Sequence, residues 1–310
     1  MLKTVKVITL SLGLFTTTTP AISHEDVAPV WSLTGEHIYF YSYRMDAAQL
    51  YRMNPDGSAQ TKITSNQFHN WWMQPLSDDE LLIVSDKEED ERFGGSNLFI
   101  YSISGDTHRP VTDLEPNTNH WAVAPSLSRN KTKLAYKRLP NGFNQPGGSI
   151  WLKNLRTNSE TLLLENIDFE PRSFALMPKG DELLFAFKES LYKSNLDGSS
   201  ATKILEMPEG EQPTFFDISI SPDASQIAFS YTKSGFENTE IFKVNLDGSH
   251  LRQLTDNNAP DLSVNWSPDG KRFVFASYRD GEQGEIYVMN TDGSHQQNIS
   301  NTGQPPADTE

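Results

Sequence analysis
Six copies of one pattern run along the chain, and no other feature restricts its fold so tightly. Trp31-Ser32-Leu33-Thr34-Gly35, leading to Ile38-Tyr39-Phe40, aligns with Trp266-Ser267-Pro268-Asp269-Gly270, leading to Phe273-Val274-Phe275. Ile220-Ser221-Pro222-Asp223-Ala224, leading to Ile227-Ala228-Phe229, is a third copy, and weaker ones end at Val84, Tyr136 and Phe185. The second-strand anchors then fall at Phe40, Val84, Tyr136, Phe185, Phe229 and Phe275, at intervals of 44 to 52 residues. Each is followed by an aliphatic-aromatic pair: Leu50-Tyr51, Leu98-Phe99, Ile150-Trp151, Leu191-Tyr192, Ile241-Phe242 and Ile286-Tyr287. A period in this range means a stacked or ring-like array, in which no single unit can bury its own apolar face.

Between these anchors the local signals are those of strands and turns. Asp-Gly-Ser recurs at 56–58, 197–199, 247–249 and 292–294, which is hairpin-turn chemistry. Apolar runs of four to six residues lie between the turns, and no segment holds a 3.6-residue period over three turns. Four strands in each repeat of this length predict an all-β fold, a six-bladed β-propeller of four-stranded antiparallel blades. A large β-sandwich would not produce six copies with matching anchors.

The copies also separate a constant side from a variable one. The repeat ends 13 residues after the third-strand aromatic in all six copies, whereas the link from second-strand anchor to third-strand aromatic runs from 7 to 15 residues. In a four-stranded meander the first and third turns share one end of the blade, so one rim has a fixed gauge and the opposite rim is elaborated. Function on such scaffolds sits on the elaborated side.

Composition narrows the function classes. There are 41 Asp and Glu against 26 Lys and Arg, a net charge of −15, which argues against nucleic acid as a partner. Cysteine is absent, which removes disulfides, thiolate metal sites and cysteine nucleophiles. Residues 1–23 read as a signal peptide: Lys3 and Lys6, an apolar core over 7–15, and small residues Ala21 and Ser23 before the cleavage point. No later stretch approaches the roughly 20 apolar residues that span a bilayer. The expectation is one propeller over 24–300 with a tail at 301–310, monomeric, and periplasmic or secreted.

The Trp-Ser-Pro-Asp-Gly-Lys, Ile-Tyr-Val-Met-Asn-Thr-Asp-Gly-Ser and Leu-Thr series resembles the WD40-like repeat of the TolB-type propeller family. The resemblance covers about 26–300, and its best copies are the first, fifth and sixth. It implies the propeller fold. It does not carry over the α/β domain that precedes the propeller in TolB, for which no segment lies between the leader and the first repeat. Nor does it imply a peptidase of the prolyl-oligopeptidase type, since no Gly-x-Ser-x-Gly elbow occurs.

The first strand of each blade is expected to line the channel, with its entrance on the elaborated rim. There the sequence places Asp26, His69, Trp71, His120, Trp121, Glu170, Arg172, Asp217 and Asp261. Imidazole and carboxylate around a funnel suit a divalent metal or general acid–base chemistry, and neighbouring indoles suit glycan or peptide contact. His69 and His120 equally suit hydrogen-bonded structural roles. Phe93, Phe143 and Phe236, in Gly-containing loops, are expected to dock on neighbouring loops or to await a partner. The favoured reading is an envelope module that binds a protein or an oligosaccharide. The alternative is a small enzyme of polysaccharide-lyase or hydrolase type with a metal or His/acid site at the channel mouth.

Overall fold
A computed structural model describes residues 25–90, 93–142, 147–167, 173–210 and 214–300. The leader and the tail expected from the sequence lie outside the described residues, as do Phe143, Glu170 and Arg172.

Six four-stranded antiparallel sheets form, each from contiguous sequence and each in simple meander order. This is the expected six-bladed propeller. Among the described residues the helical content is a single turn, Phe236–Asn238, and no helix is long and apolar enough to cross a membrane. The innermost strands are Asp26–Trp31, Asn70–Pro75, Trp121–Leu127, Phe174–Leu176, Thr214–Ile220 and Asp261–Trp266.

Facing ring pairs build the centre of five of the six blades. Phe40 faces Tyr51, Phe185 faces Tyr192, Phe229 faces Phe242 and Phe275 faces Tyr287 across the second and third strands. Their centroids are 5.5–5.7 Å apart, within the favourable range for aromatic pairs. Tyr136 faces Trp151 in the same way. Blade 2 departs by one residue, because Val84 faces Leu98 and it is Ile83 that opposes Phe99. A continuous apolar run hides its register from the sequence, since both faces are buried.

In the four repeats that carry Asp-Gly-Ser, the fixed 13-residue gauge has a physical cause in the contact between blades. The glycine of each Asp-Gly-Ser turn lies against the last strand of the preceding blade. A Cβ added to Gly57 would sit 2.0 Å from the Ile299 carbonyl oxygen, and one added to Gly248 would sit 2.1 Å from that of Ile204. Gly198 and Gly293 approach Leu164 and Leu254 likewise. Gly57 and Gly248 both hold φ +84°, a conformation that favours glycine. A turn that must reach its neighbour at this distance cannot change length.

The end of the repeat is locked by a hydroxyl. The N–H groups of Leu50, Leu98, Ile241 and Ile286 donate to the side-chain oxygens of Thr64, Thr112, Thr255 and Ser300 at 2.7–2.9 Å. In those four blades the outer strand is short, two to four residues. Blades 3 and 4 carry Leu164 and Leu205 at this place, and there the outer strand continues for eight and five residues, so that backbone replaces the hydroxyl.

The ring closes without strand exchange between first and last sheets. The Asp26 N–H donates to the Gly284 carbonyl (2.8 Å), the Gln60 amide to the Ser300 carbonyl (3.1 Å) and the Asn265 amide to the Pro29 carbonyl (3.1 Å). Closure thus rests on these backbone and side-chain bonds, on an apolar cluster that joins Trp31, Ile38 and Met53 to Val274, Ile286 and Ile299, and on the close approach of Gly57. Gly57→Ala is expected to lower unfolding free energy by about 2–4 kcal/mol in urea denaturation, through forced backbone displacement at positive φ. Gly281→Ala, where an added Cβ meets nothing within 4 Å, should change it by less than about 0.5 kcal/mol.

Candidate functional site at the elaborated rim
The repeats that build the mouth also bind its charges together. Asp26 is 2% exposed and receives the Arg44 guanidinium at 2.5 and 3.2 Å. Asp261 is fully buried and receives Arg279 at 2.8 Å and the Asn257 amide at 2.7 Å. Both arginines stack on a third-strand aromatic, Arg44 at 4.9 Å from the Tyr51 centroid and Arg279 at 4.8 Å from that of Tyr287. Each also reaches a glutamine of its own blade, Gln60 or Gln296. The two constellations are copies of one device. It was legible as Ser-Tyr-Arg at 42–44 and 277–279, each arginine 18 residues after its aspartate, but sequence reasoning read only the aspartates.

His69 is buried. Its Nδ1 accepts the Ala48 N–H at 2.9 Å, and its backbone N–H donates to the Asp86 carboxylate at 2.6 Å. An accepting Nδ1 places the ring proton on Nε2. The ring lies between Trp71 (4.8 Å, 8°) and Phe93 (4.3 Å, 32°). Trp71 and Trp121, each 3% exposed, pack against one another at 6.2 Å and donate their indole N–H groups to Tyr43 and Asn119. Burial pushes the Tyr43 phenol well above its ordinary range. With their faces covered, these two indoles are interior packing between blades 1, 2 and 3. Phe93 therefore docks on neighbours, as does Phe236, which meets Phe216 and Tyr278 at 6.0 Å each.

His120 is half-buried at the rim, where its Nδ1 lies 3.0 Å from the Thr118 hydroxyl. Asp217 lies deeper. Its Oδ2 accepts the Ser263 N–H at 2.7 Å, and it lines the central cavity. Of the described candidates, His69, Trp71 and Trp121 come together as one aromatic cluster. Asp26 and Asp261 sit in separate ion pairs, one within blade 1 and one within blade 6, and His120 and Asp217 stand apart from both. Among the described residues no group of three or more His, Asp or Glu converges as a metal cage. The described part of the mouth therefore supplies no ready donor set for a divalent ion.

Two acids that sequence reasoning passed over occupy the start of the third strand. Glu240 accepts the Thr255 hydroxyl (2.5 Å) and the Asn257 N–H (2.7 Å), and Glu285 accepts the Ser300 hydroxyl. Gln49 and Asn97 hold the same place in blades 1 and 2. Each lies 15 residues before its repeat-end Thr or Ser, a spacing that identifies the staple. Burial, reinforced by Asp261 and Asp256, raises the Glu240 carboxyl to about 7 against the opposing Asn257 and Thr255 hydrogen bonds. Burial likewise raises Glu285.

Exposed acids dominate the outer part of this rim. Glu88, Asp90, Asp113 and Glu115 are exposed. Asn117 ties the blade 2 loop to the next link, accepting from the Asp90 N–H (2.8 Å) and donating to the carboxylates of Glu89 (2.6 Å) and Asp90 (2.9 Å). Beside this staple is a depression of about 270 Å³ lined by Gln67, Phe68, Asp86, Lys87, Glu89 and Asp90.

Fold and site together define a six-bladed propeller whose variable rim is acidic and whose inner charges are paired. Residues 211–309, the last third of the chain, match the family model of the TolB beta propeller domain. Dipeptidyl-peptidase 5 of Porphyromonas gingivalis is 35% identical over 69 residues, 21% of this chain and 10% of that protein; the match spans about a tenth of that relative's length. Among solved structures, TolB from Acinetobacter baumannii superposes with a TM-score of 0.61 at 17% identity, over 89% of this chain and 63% of that one. An oligogalacturonate lyase in complex with manganese gives 0.58 at 17% identity, over 89% and 77%. At such identities the structural likeness concerns the fold.

Two outcomes test the site's anatomy. His69→Ala removes a buried acceptor and a ring from the stack and should cost about 1–3 kcal/mol, while His120→Ala should change stability by less than about 0.5 kcal/mol. The second concerns pH. Because the folded-state pKa of Glu240 lies above its ordinary value, its stabilising contribution is complete below about pH 4.5 and is lost as pH rises towards 7. Glu240→Gln removes this titration, so its stability relative to the parent should rise by about 1–3 kcal/mol between pH 4.5 and 7.5 in urea denaturation.

Proposed function
We propose that this protein is an exported, non-catalytic binding module that holds a protein partner on its elaborated rim. The observation that carries this reading is the commitment of the rim's inner acid, base and indole groups to partners between blades, beneath loops whose lengths vary from blade to blade. Such an arrangement makes a shaped, rigid surface rather than a converging reactive set. Buried Trp71 and Trp121 offer no open face to a sugar ring, which favours protein over glycan. The exposed acids Glu88, Asp90, Asp113 and Glu115 favour a partner that presents Lys or Arg side chains, by complementarity and by steering its approach.

Site-specific photocrosslinking tests the reading. A benzoylphenylalanine at exposed Asn119 should yield a discrete protein adduct in cells, and one at Lys271 on the opposite rim should not. Equal adducts from both rims, or none from Asn119, would overturn it. The same preparations test export: intact mass should show loss of about 23 N-terminal residues, whereas a full-length chain in the cytosol would contradict the leader.

A further inference from the structure
We propose that blade 3 carries, on the constant rim, a docking site for a short acidic segment of a protein partner. Each blade presents two turns on that rim, one from first to second strand and one from third to fourth. Blades 1, 2, 4, 5 and 6 hold an exposed carboxylate in both turns, as with Asp181 and Asp197 in blade 4 or Asp223 and Asp247 in blade 5. The two turns of blade 3, at 128–132 and 155–159, hold none. They carry Arg129, Lys131 and Arg156 instead.

The other blades act as internal controls, and the turn itself does not require the change of charge. In blade 5 Asp223 accepts the Ser221 hydroxyl at 2.7 Å and the Ser225 N–H at 3.0 Å. In blade 6 Asp269 accepts the Ser267 hydroxyl at 2.6 Å and the Lys271 N–H at 3.1 Å. In blade 3 Asn130 accepts the Ser128 hydroxyl at 2.9 Å and the Thr132 N–H at 3.2 Å. The turn is kept and the carboxylate is gone. Among the described residues Arg129, Lys131 and Arg156 enter no ion pair, whereas Arg44, Arg138 and Arg279 each do. In a chain of net charge −15, cations that no carboxylate of their own fold engages are open to one from outside.

The chemistry of the turns selects the occupant. The Leu155 N–H donates to the Thr132 carbonyl and the Arg129 N–H to the Pro178 carbonyl, both at 2.8 Å. These bonds set the Arg156 turn beside that of Lys131, and Arg129 beside the turn that carries exposed Lys179 of blade 4. The N–H groups of Lys131, Thr132, Arg156 and Thr157 donate within the turns. They are therefore not free to cradle a phosphate, and the contact falls to the long side chains. Guanidinium groups take carboxylates through paired, charge-assisted hydrogen bonds. Asp78 and Asp106 of blade 2 and Asp181 and Asp197 of blade 4 are exposed on the flanking turns. A bilayer or a long polyanion laid across the rim would meet those like charges, whereas a short acidic segment fits between them. The site lies on the rim opposite the proposed partner surface, and stands or falls independently of what that surface binds.

Fluorescence anisotropy of a labelled hexaglutamate peptide titrated with the full chain tests it, at about 0.1 M salt, where exposed charges more than about 10 Å away are screened. The expected result is saturation with a dissociation constant on the order of 100 μM, weakened about tenfold in the triple variant Arg129→Ser, Lys131→Ser, Arg156→Ser. Lys271→Ser, in blade 6 of the same rim, should leave it within about twofold. No saturation below about 5 mM, equal binding by the folded triple variant, or an equal loss in Lys271→Ser would each overturn the proposal. Two outcomes would overturn it by naming another occupant. One is tighter binding of tripolyphosphate or phosphatidylglycerol vesicles than of hexaglutamate, lost in the triple variant. The other is a concentration-dependent dimer in sedimentation that the triple variant loses. Should that variant fail to fold, the guanidinium Nε–H signals of Arg129 and Arg156 in the parent decide: they should shift with hexaglutamate and not with a Gly-Ser peptide of the same length, and the absence of that difference refutes the site.

Discussion

Everything in this ring depends on how closely one blade can approach the next. The approach is made by a glycine turn set against the last strand of the preceding blade, where no side chain fits. In the four blades with that turn the contact holds the distance from third-strand aromatic to repeat end constant, and the opposite rim is under no such limit. Variation in loop length is therefore confined to one face by a packing constraint on the other. At the junction of first and last blades the contact gains importance, because no exchanged strand supports closure.

A second consequence concerns charge. An acidic chain that brings six strand entrances towards one axis would concentrate like charges. The structure disperses them by pairing. Arg44 and Arg279 neutralise Asp26 and Asp261 and cover the adjacent ring stack. Glu240 and Glu285 are satisfied by the repeat-end hydroxyls. Breaking such pairs leaves a buried charge, which is far more costly than the pair is stabilising. Residues that stand at the mouth in a linear reading thus become part of the wall, and the acids left over face outward around blades 2 and 3.

The fold was legible to an unusual degree because each blade repeats the same local signals, and six copies average out the ambiguity of any one. Blade 2 shows the limit. Its run Leu81-Leu82-Ile83-Val84 is buried throughout, so no alternation marks the register, and the aromatic partner falls one residue from the aligned position. Blades 3 and 4 show another. Where Leu164 and Leu205 replace the hydroxyl residue, the outer strand lengthens, an outcome visible only once the hydroxyl's role in the other four blades is known.

What the amino-acid sequence determined by itself was the class of fold, the number of blades, the turn chemistry and which rim may vary, because these follow from short-range periodicity and from glycine at fixed offsets. Only the tertiary structure decided what the polar and aromatic residues do. Asp26 meets Arg44 and Asp261 meets Arg279 across a strand and a loop, His69 meets the Ala48 N–H of the neighbouring blade, and Asp217 reaches the Ser263 N–H from one blade to the next. The shared Asp-to-Arg spacing marks the first two as copies of one device, but which partner each side chain meets depends on side-chain direction and on the closure of the ring.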